Sequence, residues 1–290
     1  MTGYALGIVL VSAFFHSCWN YLAKRSGKKI VFIWWFLLSS LVLYVPMLLY
    51  YWSRISIPRT GWVFVAATGG LHFLYFFFLG GAYERGDLSL VYPLARGSAP
   101  LFVSLSAPLL IGEELSALGG LGILTVVAGI YIIHLRSFSK ASFAEPLRAI
   151  RGEVSLWALS TGGTISAYSI VDKVGVNLVH PPVYIYLMFL ISWLMLSPFV
   201  LLGHRRQVAI EWQTNKVTIL LVSILIMASY LMILFAFQIA KVSYVVAARE
   251  ASILFSVLLG VLQLNEKQGL QKTVGAAFIA MGVVLIGLTR

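Results

Sequence analysis

Arg96 and Arg249 each stand inside a long apolar run, at positions that correspond across an internal duplication. Shifting the chain by 153 residues brings Arg96 onto Arg249, Glu113 onto Glu266, Gly122 onto Gly275 and Gly129 onto Gly282. A guanidinium stays protonated and presents a planar fork of N–H donors that fits carboxylate or phosphate oxygens. Holding one inside a membrane helix costs roughly 2.5–3.5 kcal/mol on insertion scales, so each is a binding-site candidate. Two at equivalent places predict one shared central site for an anionic group. The competing reading is a structural ion pair, Arg249 with Glu250 or Arg96 with Glu84 or Asp87. Adjacent helical residues point about 100° apart, so Arg249 and Glu250 do not simply face one another.

Other polar and aromatic residues share faces with the arginines. In SLVYPLARGSAPLFVSLSAP, Ser89, Tyr92, Pro93, Arg96 and Pro100 fall on one side, and the prolines are expected to interrupt the helix and release carbonyls towards a cavity. Its counterpart VSYVVAAREASILFSVLLG places Arg249, Ser252 and Ser256 together and has no proline. Helical spacing gathers Ser12, His16, Trp19 and Asn20 on one face near the N-terminus, and Thr161, Thr164, Tyr168 and Asp172 on another in the second half. The segments SCWNYLAK and SAYSIVDK align at an offset of 149, so Trp19 meets Tyr168. The expected substrate-binding set is Arg96, Arg249, His16, Trp19, Asn20, His72, Tyr92, Tyr168, Glu250 and Ser252. His16, His72 and Glu250 are the titratable groups that would serve if transport is coupled to protons. Hydrogen bonds between packed helices are the plainer explanation for the Ser and Thr residues.

Several chemistries are not expected. Cys18 is the only cysteine, and there is neither an HExxH nor a His pair at i, i+4, so no metal site is expected. No GxxxxGK[ST] loop exists to cradle a nucleotide. No catalytic cluster or cofactor motif emerges.

The elements that must position these residues are membrane helices. Hydrophobic residues make up 60% of the 290, charged residues 11%, and the mean hydropathy is +0.93. Such a balance excludes a soluble domain, and the formal charge of +11 then reads as topology signals in short connections rather than as a nucleic-acid surface. The N-terminal run has no basic n-region and is expected to be a retained helix. About 20 apolar residues are needed to cross the bilayer, a ruler that marks ten segments near 4–23, 30–52, 61–83, 88–111, 116–135, 153–171, 182–202, 217–239, 243–264 and 270–288. The polar, basic stretch 136–152 separates a first five-helix repeat, 1–135, from a second, 153–290. An odd number of spans per repeat predicts inverted halves with a site between them near the midplane. The expected fold is therefore an all-α membrane protein of ten transmembrane helices in two inverted five-helix repeats. Fourteen of the 21 Lys and Arg fall on the side opposite the termini, which by the positive-inside rule places both termini outside the cytoplasm.

The ten-helix plan, HSCWNYLAK, the run GAYERGDLSLVYPLARGSAPLFVSLSAPLLIGEEL and its echo FQIAKVSYVVAAREASILFSVLLGVLQLNEK resemble the drug/metabolite transporter superfamily, specifically its EamA-type members. The resemblance covers nearly the whole chain. It implies a multi-pass inner-membrane secondary transporter of small metabolites working by alternating access. The related plastid sugar-phosphate carriers use basic cavity residues, which would make Arg96 and Arg249 ligands of an organic anion or zwitterion such as an amino acid or a phosphate- or phosphonate-bearing metabolite. Members are usually drawn with both termini inside, against the charge count. The partners implied are the lipid bilayer and a small substrate, with the chain a monomer or homodimer. An enzyme acting on a lipid or polyprenyl phosphate is the alternative from another class, and a scaffold subunit a third.

Overall fold

A computed structural model describes residues 1–23, 27–85, 88–133, 135, 137–139, 142–143, 152–257 and 269–289, without the side chains of 83–84 and 88–93. Asp87, Glu266, most of the 136–152 linker and the side chains of Glu84 and Tyr92 thus lie outside the described residues.

Every described element is helical: α1 (Gly3–Ala23), α2 (Lys29–Leu43), α3 (Val45–Trp52), α4 (Arg59–Arg85), α5 (Leu88–Ile111), α6 (Ala117–Ile133), α7 (Glu153–Gly175), α8 (Pro181–Gly203), α9 (Arg205–Ile239), α10 (Val242–Arg249) and α11 (Leu270–Gly287). By length and composition six helices among the described residues can cross a membrane, or seven if the bent pair α2–α3 forms one span. The chain is a multi-pass membrane protein.

Departures from the expected ten segments have local causes. The segment near 30–52 turns by 50° between α2 and α3, where Pro46 has no N–H to donate back across the break. Non-helical Asn215 divides α9, and the apolar part begins after it, as the segment near 217–239 requires. Helix α7 is too polar to count as a span on hydropathy, because Ser155, Thr161, Thr164, Ser166, Ser169 and Asp172 are buried among other helices rather than turned to lipid.

The proline-rich helix also departs from expectation. Helix α5 runs unbroken through Pro93, Pro100 and Pro108, whereas its proline-free counterpart breaks after Arg249 and is helical again from Ser252. There the N–H groups of Glu250 and Ala251 turn back to the carbonyls of Ala247 and Ala248, a tighter i→i−3 pattern. Packing along α7 supports α5 where prolines remove donors. The interruption thus lies beside the second arginine.

Contacts between the halves hold the bundle together. Helix α1 docks on α9, where Ser12 Oγ donates to the carbonyl of Ser229 at 2.8 Å and Ser229 Oγ to that of Ser12 at 2.9 Å. Helix α4 docks on α7. With little hydrophobic drive between helices inside lipid, close backbone approach matters more, and α6 and α11 supply it. A Cβ built on Gly122 would lie 2.9 Å from the carbonyl oxygen of Gly282, and one on Gly129 would lie 2.7 Å from that of Gly275. Because 122 meets 282 while 129 meets 275, the two helices pack antiparallel.

Buried Glu113 stitches the α5–α6 connection to α10, accepting the N–H of Val242 at 2.7 Å and of Ser243 at 3.1 Å at the helix N-terminus. Those amides have no intrahelical acceptor, and the helix dipole favours a negative cap. Glu113→Ala is expected to destabilise the protein by about 1–3 kcal/mol and Glu113→Gln by less, read from unfolding titrations in detergent.

Candidate functional site

Helices α1, α4, α5, α7, α8, α9 and α10 place thirteen residues around one cavity: His16, Trp19, His72, Tyr75, Phe76, Arg96, Tyr168, Met188, Phe189, Ile226, Ser229, Tyr230 and Arg249. The cavity has about 470 Å³ not filled by atoms, its open mouth included.

His16 stands between the two arginines. Arg96 Nη2 lies 3.3 Å from His16 Nε2, and Arg249 Nη2 lies 3.2 Å from His16 Nδ1, which Trp19 Nε1 also approaches at 3.1 Å. The offset that made Arg96 and Arg249 equivalent in sequence therefore corresponds to convergence in space. A neutral imidazole has one lone pair and one N–H, whereas guanidinium and indole groups only donate. With Nδ1 accepting from Trp19 and Arg249, the Nε2–H is turned towards Arg96. Donors are in excess here.

The two arginines differ in their company. Arg96 is buried, pairs through Nε with Glu250 Oε2 at 3.3 Å, and reaches Ser252 Oγ at 3.4 Å. Arg249, by contrast, has no carboxylate partner among the described residues. It contacts His16, its guanidinium carbon sits 5.2 Å from the centre of the Tyr230 ring, and its buried Nε has no hydrogen-bond partner among the described residues. Glu250 thus neutralises the arginine of the other half rather than its neighbour. With His16 neutral, the immediate cluster retains one positive charge.

Aromatic rings form the walls. His72 stacks on Tyr168 with centroids 4.1 Å apart and meets Tyr230 edge-on at 5.3 Å, while Tyr75 meets Tyr168 edge-on at 5.8 Å. Behind Tyr230 lies fully buried Asp172, which accepts from Thr68 Oγ1 at 2.5 Å, Tyr184 OH at 2.9 Å and Tyr230 OH at 2.5 Å. Rings and arginines together can hold a small anion or zwitterion: a charged group at the guanidiniums and an apolar or aromatic portion against Trp19, Tyr168 and Tyr230.

Of the residues expected from sequence, Arg96, Arg249, His16, Trp19, His72 and Tyr168 line the cavity. Glu250 and Ser252 touch Arg96 from behind. Asn20 does not line it: its Nδ2 donates to the carbonyl of His16 at 2.8 Å, a bond along its own helix that takes the amide away from the space. Tyr75, Tyr230, Phe189 and Ser229 belong to the wall but carried no signal in the sequence, since no charge or repeat register marks them out.

Among known proteins, the model of the EamA-like transporter family matches residues 154–288. No curated protein matches the chain significantly. A solved structure described as "Crystal structure of protein" superposes with a TM-score of 0.77 at 19% identity, covering 99% of this chain and 98% of that one. The fold is shared.

Proposed function

We propose that the chain is an inner-membrane secondary transporter of a small organic anion or zwitterion, a reading supported by the match of residues 154–288 to the EamA-like transporter family, part of the drug/metabolite transporter superfamily. The amino group or apolar body of an amino acid, or the body of a phosphate- or phosphonate-bearing metabolite, would sit against the aromatic wall. Its acidic group would sit between Arg96 and Arg249. The observation that carries this reading is Arg249, a guanidinium at membrane depth whose charge has no carboxylate among the described residues. A partly buried charge left without a counter-charge inside a membrane helix is costly, and an incoming anion would remove that cost. Two repeats, 1–135 and 153–290, related by inversion would let the cavity open to either side in turn. Antiparallel packing of the equivalent helices α6 and α11 supports inversion, as does the exchange by which α1 packs on α9 while α4 packs on α7.

A ligand that binds only the folded state raises its apparent stability. Thermal unfolding of the purified protein against panels of amino acids, phosphorylated metabolites, phosphonates and neutral sugars should show stabilisation by anionic or zwitterionic compounds alone. Stabilisation by neutral sugars to the same degree would contradict the anion reading.

A further inference from the structure

We propose that Asp172 is the proton-carrying carboxylate of this transporter, loaded from the central cavity through His72 and Thr68. The inference rests on the transport reading above. Four carboxylates are buried among the described residues, Glu113, Asp172, Glu211 and Glu250, and they can be compared by what surrounds them. Glu211 accepts from Asn215 Nδ2, which can only donate. Glu113 is capped by the backbone amides of Val242 and Ser243, which can only donate. Glu250 is paired with Arg96, which can only donate. None of these partners can accept a proton from the carboxyl group.

Asp172 differs, because its three partners are the hydroxyls of Thr68, Tyr184 and Tyr230, and it makes no ion pair among the described residues. A hydroxyl both donates and accepts, and turns about its C–O bond to do either. Around an ionised Asp172 all three hydroxyls donate to it. Around a protonated Asp172 one of them turns to accept the carboxyl proton, with no movement of heavy atoms. The cage therefore holds both protonation states, which a reversible carrier needs and a structural ion pair does not.

The route to the cavity is continuous. His72 lines the cavity, and its Nδ1 lies 3.0 Å from the carbonyl of Thr68 and 3.1 Å from Thr68 Oγ1. A carbonyl only accepts, so Nδ1 carries the ring proton and Nε2 keeps its lone pair for the cavity. A proton taken up at Nε2 releases the Nδ1 proton to Thr68 Oγ1, whose own proton passes along the 2.5 Å contact to Asp172 Oδ1. One proton enters, one is stored, and His72 is left as the other tautomer.

The charges facing Asp172 also connect it to the anion site. From α10 comes Arg249, which acts across the Tyr230 ring; from α4 come His72 and Tyr75, the latter through Tyr168. On its own helix Lys173 is turned away, its ammonium held by the carbonyls of Phe237 and Ala240, and on α5 Arg96 is committed to Glu250. An anion that takes up the charge of Arg249 changes the field at the Tyr230 ring, whose hydroxyl is bonded to Asp172. Substrate and proton are thereby coupled.

Infrared difference spectroscopy of the full chain in lipid nanodiscs, stepped in pH and repeated in deuterium oxide, reads the protonated carboxyl directly. The parent should show a deuterium-sensitive carboxylic-acid C=O band that titrates. Asp172→Asn should lose it, Asp172→Glu should displace it, and Glu250→Gln should keep it. Absence of the band in the parent, or an unchanged band in Asp172→Asn or Asp172→Glu, would overturn the proposal; Asp172→Glu alone decides if the asparagine variant does not fold. Arg249→Gln, which disables the anion site, should keep a titrating band. A failure of anion binding is thus separable from a failure of the proton site.

Discussion

Replacing Arg249 with glutamine lowers affinity for the anionic substrate by tenfold or more and leaves the protein folded. A charge-assisted hydrogen bond contributes about 1.5–3 kcal/mol, which is roughly tenfold to a little over a hundredfold in binding. Stability should fall little, because Arg249 makes no ion pair among the described residues and Glu250 keeps its cation in Arg96. Arg96→Gln weakens binding similarly but behaves differently in stability. It leaves Glu250, almost wholly buried, without its cation, a loss of about 3–5 kcal/mol. Adding Glu250→Gln to Arg96→Gln should restore most of that stability without restoring affinity. Calorimetric titration with the best compound from the stability screen, alongside unfolding of each variant, separates the two roles. Parent-like binding by folded Arg96→Gln and Arg249→Gln would remove the anion site.

A second large effect is expected at the contact between α6 and α11. An added Cβ at Gly129 would lie 2.7 Å from the backbone oxygen of Gly275, and backbone cannot swing aside as a side chain does. Gly129→Ala should therefore cost about 1–3 kcal/mol through overpacking, and Gly129→Leu should prevent the folded state from accumulating. Gly120, on the same helix, has nothing within 4 Å of its virtual Cβ and serves as the control. Size-exclusion profiles and unfolding curves of Gly120→Leu should match the parent, whereas those of Gly129→Leu should show aggregation.

Some of this was legible in the sequence because it is periodic or duplicated. The 153-residue offset brought out both arginines, which line the cavity, and the four glycines, which meet at the α6–α11 contact. Hydropathy marked out apolar segments, since lipid demands a minimum apolar length, and six or seven of the described helices meet that length and composition. The break after Arg249 was not legible, because three prolines pointed to α5 and a tight turn in a run of small apolar residues carries no comparable mark. Nor was the Arg96–Glu250 pair, whose members are far apart in sequence while Glu84 and Asp87 lie nearby. Periodicity tells which residues share a face of one helix, but not which face of another helix meets it. Asp172 shows the point: its face on α7 was readable, yet Thr68, Tyr184 and Tyr230 come from three other helices. Asn20 shows the converse, a polar residue on the right face that bonds back to its own helix.

The decisive measurement is uptake of the radiolabelled stabilising compound into proteoliposomes containing the purified chain, with the vesicle contents separated chemically afterwards. Saturable accumulation of the unmodified compound is expected with the parent protein, and accumulation reduced at least tenfold at subsaturating concentration with Arg249→Gln. Uptake no greater than in protein-free vesicles, or conversion of the compound to a product, would contradict a transporter built around these two arginines.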